Sequence, residues 1–174
     1  MTTRPTFAYY EGFASDPHAV FEQLVRGVTW DERMRARKTA SFGRPYDYSG
    51  MVYPESAFPP VLERLRHRIA ERLGWCPNNC LLNLYADGRA KMGMHADATD
   101  SLEEGSAIAI VSLGATRSLV FQRQGEDERL EYPLHSGSLL VMPLSLQQTW
   151  RHGVPKCTEA GPRISATFRR LRET

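Results

Sequence analysis

The stretch AIAIVSLGATRSLVFQRQGEDERLEYPLHSGSLLVM, residues 107–142, decides the fold. It holds four short runs with strand character, at 107–113, 118–122, 130–133 and 138–142, separated by turn signals. No long helix fits between them, so the strands pair antiparallel. Working outward, two further strand candidates, 81–85 and 163–171, extend the β region from Cys80 almost to the end of the chain. Before Cys80 the pattern is different. Residues 7–13 are aromatic and strand-like, and Asp16-Pro17 is an N-cap followed by a first-turn proline. Val20, Phe21, Leu24 and Val25 then recur at helical spacing. A second helix is expected over 59–73, where Val61, Leu62, Leu65, Ile69 and Leu73 form one stripe opposite a charged face. Two helices leading into six or more strands predict an α+β protein with a jelly-roll core, the helices buttressing one face.

The chain has 174 residues, 41% hydrophobic and 24% charged, which is enough for one domain with a real core. It has no apolar run near 18 residues and no signal-peptide pattern, so the expectation is a cytoplasmic protein without membrane contact. Lys and Arg number 22 against 20 Asp and Glu, a net charge of +2. That excludes a uniformly basic nucleic-acid coat and leaves room for a local patch. Three cysteines without a CxxC argue against a disulfide scaffold or a structural zinc site. The five histidines, at 18, 67, 95, 135 and 152, are the remaining chemical resource.

His95 and Asp97 are two apart at a strand end, so both side chains can reach one metal ion. They supply two ligands of a two-His, one-carboxylate triad, the arrangement that holds Fe(II) with open positions. Downstream lie His152 and the run Arg163-Ile164-Ser165-Ala166-Thr167-Phe168-Arg169. On a strand, positions 163, 165, 167 and 169 share one face while Ile164, Ala166 and Phe168 face the core. Two guanidinium groups and two hydroxyls on one face suit a small dianion with two carboxylates. Asn83 and Tyr85 alternate onto one face in the same way.

Together these residues resemble the signature of the AlkB family of Fe(II)- and 2-oxoglutarate-dependent dioxygenases. The resemblance runs from about residue 46 to 171. It includes Tyr46-Asp47-Tyr48-Ser49-Gly50, Ser112-Leu113-Gly114-Ala115 and Gly137-Ser138-Leu139-Leu140, and it is nearer the branch that repairs duplex DNA. It implies a double-stranded β-helix of cupin type, with His95, Asp97 and His152 on iron as the catalytic centre. It further implies Arg163 on the distal carboxylate of 2-oxoglutarate with Tyr85 assisting, and Asn83 and Arg169 near the chelating end. Ser165 stands where the founding pattern has Asn, and Thr99 stands where relatives often carry a base-reading acid. Residues 1–50 would form an N-terminal extension and nucleotide-recognition lid, and 51–174 the helix and catalytic core of a single 1–174 domain. Tyr46, Tyr48, Ser49 and Thr99 would face the base. Arg35, Arg37 and Lys38 of the basic lid would meet phosphates, with Met34 and Phe42 as its apolar residues able to wedge or stack.

The implied reaction consumes O2 and demethylates N-alkylated bases of the 1-methyladenine and 3-methylcytosine type in DNA or RNA, releasing formaldehyde, succinate and CO2. The expected partner is alkylated nucleic acid, met by a monomer. Two other readings are a 2-oxoglutarate-dependent oxygenase of free nucleosides or other small molecules, and a non-catalytic binder of alkylated nucleic acid. His135 beside a tight turn reads as structural, and His18 and His67 read as surface residues. Cys76 and Cys80 read as packing residues.

Overall fold

The computed structural model describes residues 3–47 and 50–173. Among these described residues, ten strands make two antiparallel sheets. The larger takes the order β1 (Ala8–Tyr10), β8 (Leu139–Pro143), β5 (Ala107–Gly114), β10 (Arg163–Arg169), β3 (Asn79–Tyr85), β2 (Lys38–Gly43). The smaller runs β4 (Met92–His95), β9 (Trp150–Val154), β6 (Arg117–Arg123), β7 (Arg129–Leu134). The period-two alternation of each strand splits its residues between two cores. On the outer face of the larger sheet, Leu82, Leu84, Ile164, Ala166 and Phe168 pack against α1 (Pro17–Gly27) and α2 (Pro60–Leu73). On the inner face, Tyr85, Ile108 and Ile110 meet Leu119, Phe121 and Val154 of the smaller sheet. This is the α+β double-stranded β-helix, with α1 and α2 on the outer face of the larger sheet.

Both helices form where the sequence predicts and for the expected reasons. Asp16 caps α1, its carboxylate accepting from Ala19 N at 3.3 Å, and Pro17 takes the first position. The stripe Val61, Leu62, Leu65, Ile69 of α2 is buried, and Gly74 ends the helix in the left-handed conformation. Pro59, expected as the first helical residue, is the N-cap.

Three strands are not visible from sequence. β2 carries Lys-Thr-Ala-Ser-Phe-Gly, β4 only four residues, and β9 a glycine next to His152. None shows a sustained apolar alternation of its own; each is completed by the ladder of a partner strand. Part of the stretch read as a lid is therefore an edge strand of the larger sheet, paired to β3 from Lys38 to Gly43. Phe42, expected to be available for wedging, packs against the core beneath that sheet. The last strand stops at Arg169, two residues early, and Leu171 is held by an isolated bridge to Leu102.

Candidate metal centre and adjoining pocket

His95 ends β4, and β4 pairs with β9 so that His95 lies opposite His152. The imidazole rings come to 4.5 Å between centroids. Asp97 follows two residues after His95, and the potential ligand atoms of all three side chains lie within 4.8 Å of one another. His95 and Asp97 are each oriented by a neighbour. His95 Nδ1 lies 2.9 Å from the Gly93 carbonyl, which can only accept, so Nδ1 carries the proton and Nε2 is left to coordinate. Asp97 Oδ1 sits 3.1 Å from His95 Nε2 and 3.7 Å from His152 Nε2, whereas Oδ2 accepts from Arg169 Nη2 at 2.6 Å.

Burial opposes ionisation of Asp97, but Arg169 and the two histidines outweigh it and hold the carboxyl far below its usual range. His152 is pushed down to about 4, chiefly by burial, with His95 and Arg169 adding to the effect and Asp97 pulling the other way. An ionised carboxylate and a neutral imidazole are the ligand forms a divalent metal takes.

Behind this group lies a narrow interior pocket, walled on one side by β10 and β3. Arg163, Ser165, Thr167 and Arg169 all point into it, as do Asn83 and Tyr85. The ladder sets Arg163 opposite Tyr85 and Ser165 opposite Asn83. Arg163 is 1% exposed. Its Nη2 donates to Ser112 Oγ at 2.9 Å, and its guanidinium lies 5.3 Å from the Tyr85 ring centre. Its Nε and Nη1 have no hydrogen-bond partner among the described residues. Burial lowers its proton affinity, partly offset by Tyr85. A buried cation with N–H groups to spare is the complement of a carboxylate.

A second, broader cleft shares His95, Asp97 and Met92 with this pocket and opens to the surface past Met34, Arg37, Tyr46 and Asp47. Tyr46 is buried at its edge, with the Arg169 guanidinium 4.4 Å from its ring centre. Thr99 does not line either cavity; Ala98 occupies that wall, and the Thr99 carbonyl accepts from Leu102 N in a turn. Tyr48 and Ser49 lie outside the described residues. Arg35 is exposed, and Lys38 pairs with Glu32 at 2.6 Å.

Arg37 differs from its expected place on an exposed lid. It is 7% exposed, donating from Nε to Asn83 Oδ1 at 2.7 Å and from Nη1 to the Lys91 carbonyl at 3.1 Å. Its charge therefore orients a pocket side chain. Sequence reading also missed Arg117, which is buried and ties the carbonyls of Asp87, Ala90 and Pro155 together beside Tyr85. It missed Gln147 as well, whose Oε1 receives the Asp97 N–H. No local spacing marks either one. His135 pairs with Glu11 and His67 with Glu63, both away from the centre. None of the three cysteines is in a disulfide, and burial raises the Cys80 thiol far above its usual range.

Comparison with known proteins agrees with this geometry. The family model described as the 2OG-Fe(II) oxygenase superfamily matches residues 11–169. The alpha-ketoglutarate-dependent dioxygenase alkB homolog 3 of Bos taurus is 37% identical over 87% of this chain and 60% of its own length. The Homo sapiens protein of the same name is 34% identical over 92% and 64%. The DNA oxidative demethylase ALKBH2 of Mus musculus is 36% identical over 79% and 63%. The chain thus spans somewhat under two thirds of these relatives. Among solved structures, that of OsALKBH1 superposes with a TM-score of 0.71 at 16% identity, covering 98% of this chain and all of that one, a likeness of fold.

Proposed function

Because the chain belongs to the 2OG-Fe(II) oxygenase superfamily and, within it, to the AlkB family, we propose that it oxidatively demethylates N-alkylated bases of DNA or RNA, of the 1-methyladenine and 3-methylcytosine type. One observation carries this reading: a cluster of three potential metal ligands adjoins a pocket ending in a buried arginine whose Nε and Nη1 have no hydrogen-bond partner among the described residues. The residues fit the cofactors of the superfamily on that ground. Fe(II) would be held by His95, Asp97 and His152, and with 2-oxoglutarate and O2 it supplies oxidation of an N-methyl group, which leaves as formaldehyde while succinate and CO2 form.

The protein's part is ligation, orientation and exclusion of water. Arg163 and Tyr85 would bind the distal carboxylate of the co-substrate, giving the buried Arg163 cation an anionic partner. Asn83, Ser165 and Arg169 line the same pocket as Arg163 and the three ligand residues, and would contact the rest of the co-substrate. Leu81, Ile110, Leu119 and Val154 fill the remaining walls with apolar surface that keeps water off the bound acid. Tyr46 forms a wall of the cleft by which a base reaches the centre. An alkylated base pairs poorly, so extruding it costs less than flipping a normal one, and that difference favours the damaged site. Arg35 and Lys38 border the neighbouring surface groove and would meet the phosphate backbone. We take the enzyme to act as a cytoplasmic monomer; no helix among the described residues is long and apolar enough to cross a membrane.

The test is formaldehyde release from methylated DNA and RNA oligonucleotides, single- and double-stranded, beside free methylated nucleosides. Release from 1-methyladenine and 3-methylcytosine oligonucleotides, abolished by Asp97→Ala or His152→Ala in a folded chain, is the expected result. Release from nucleosides alone would make this a small-molecule oxygenase, and no release from any substrate would make it a binder.

A further inference from the structure

Gln147 lies on the four-residue helix α3 (Leu146–Thr149), which leads directly into β9 and His152. It is 6% exposed. Its Oε1 accepts the backbone N–H of Asp97 at 2.9 Å, and its Nε2 faces Met142 Sδ at 3.8 Å. An amide suits this place because only its oxygen can accept the N–H, leaving the NH2 for sulfur. Asp97 needs such a partner, since residues 96–99 belong to no strand or helix and no ladder supplies one. β4 carries His95, β9 carries His152, and those strands are already paired. The Gln147 bond adds the third ligand to the same frame, joining the segment after β4 to the helix before β9.

We propose that Gln147 is a positioning residue that fixes the Asp97 backbone so that Oδ1 faces the two imidazoles, and that it thereby sets the metal affinity of the centre. The inference rests on reading His95, Asp97 and His152 as metal ligands. Gln147 touches none of the ligand atoms and acts through the main chain of Asp97. Arg169 holds Oδ2 from the other side, so the carboxylate is constrained at both its side chain and its backbone. Partners that orient ligands in this way are worth about 10–100-fold in metal affinity.

The experiment is titration of the chelator-treated full chain with Co(II), read from the visible absorption of the bound ion. Gln147→Met keeps the length of the side chain and removes the acceptor; Gln147→Glu keeps an acceptor oxygen. Gln147→Met is expected to bind Co(II) about tenfold more weakly, with an unchanged melting temperature before metal is added. The Asp97 amide in that variant should exchange with solvent faster. The apparent 2-oxoglutarate requirement should hold, because Arg163 is untouched. Gln147→Glu, which keeps the acceptor oxygen, should bind Co(II) more tightly than Gln147→Met. Parental Co(II) affinity in Gln147→Met, or an equal loss in Gln147→Glu, overturns the role. Should Gln147→Met fail to fold, protection of the Asp97 amide in Gln147→Glu decides: parental protection supports the role and its loss overturns it. A parent chain with no saturable Co(II) spectrum overturns the metal-site reading itself, a result distinct from the others.

Discussion

The two oxygens of Asp97 have different neighbours, and that difference organises the centre. Oδ2 is bonded to Arg169 while Oδ1 faces both imidazoles, so one oxygen remains for a metal and the other is spent on orientation. Arg163 presents the complementary case, a buried cation whose N–H groups await an acid. Arg163→Met removes that charge and keeps most of the volume. It should raise the apparent 2-oxoglutarate requirement about 10–100-fold, the worth of a charged hydrogen bond. It should also abolish the rise in melting temperature that 2-oxoglutarate gives the parent chain, while Co(II) still binds. Undiminished stabilisation by 2-oxoglutarate would place the distal carboxylate elsewhere. His152 adds a pH effect. In chelator-treated protein the folded state keeps this imidazole neutral down to about 4, whereas the unfolded chain takes up a proton near its ordinary value of 6.5. Stability is therefore complete above that value and falls as the pH drops toward 4, by about 3 kcal/mol from this group. The Asp97 contribution is lost only in stronger acid, its folded value being depressed. Urea unfolding at neutral pH and at about pH 4.5 should show a larger loss in the parent chain than in His152→Gln; equal losses would remove His152 as the source.

At the scale of elements, the centre depends on how closely β4 and β9 approach. A Cβ built on Gly153 would lie 2.8 Å from the Met92 carbonyl and 2.9 Å from Met94 Sδ, both on β4. Gly153→Ala should push the strands apart beside the His95–His152 pair, costing about 1–3 kcal/mol and a large part of the Co(II) affinity. Gly27→Ala, at the end of α1 with open space around it, is the control and should leave metal affinity unchanged. Equal effects on metal affinity from the two substitutions would show that the strand spacing is not critical. The contrast also explains what could be read in advance. β10 and α2 announce themselves by alternation and by an apolar stripe, because each has a face to bury. β4 and β9 have four and five residues, one glycine each, and no such pattern. Their pairing is decided by neighbours far away in the chain, so His152 could be tied to His95 only through family resemblance.

Across the whole molecule the small net charge hides an uneven distribution. Arg35 and Lys38 line a surface groove that also takes in Arg89, next to the cleft leading to the centre. The double substitution Arg35→Gln, Lys38→Gln should weaken oligonucleotide binding and reduce the slope of log affinity against log salt by about 1–2. An unchanged slope would move the backbone contact to another face. Arg37 belongs outside that experiment, since its guanidinium is spent on Asn83 and the Lys91 carbonyl. From charge alone the three cations look equivalent; burial separates them. The sequence by itself determined α1 and α2, the inward face of β10 and the residue types at the centre. Those depend on periodicities of two and 3.6 residues, which act within a few neighbours. Tertiary structure alone decided which edges pair, how Asn83, Asp97, His152 and Arg163 converge from separate segments, and that Arg37 and Gln147 orient the residues around them. Such contacts join positions 46 and 50 residues apart, and only closing the chain into two stacked sheets brings them within hydrogen-bond reach.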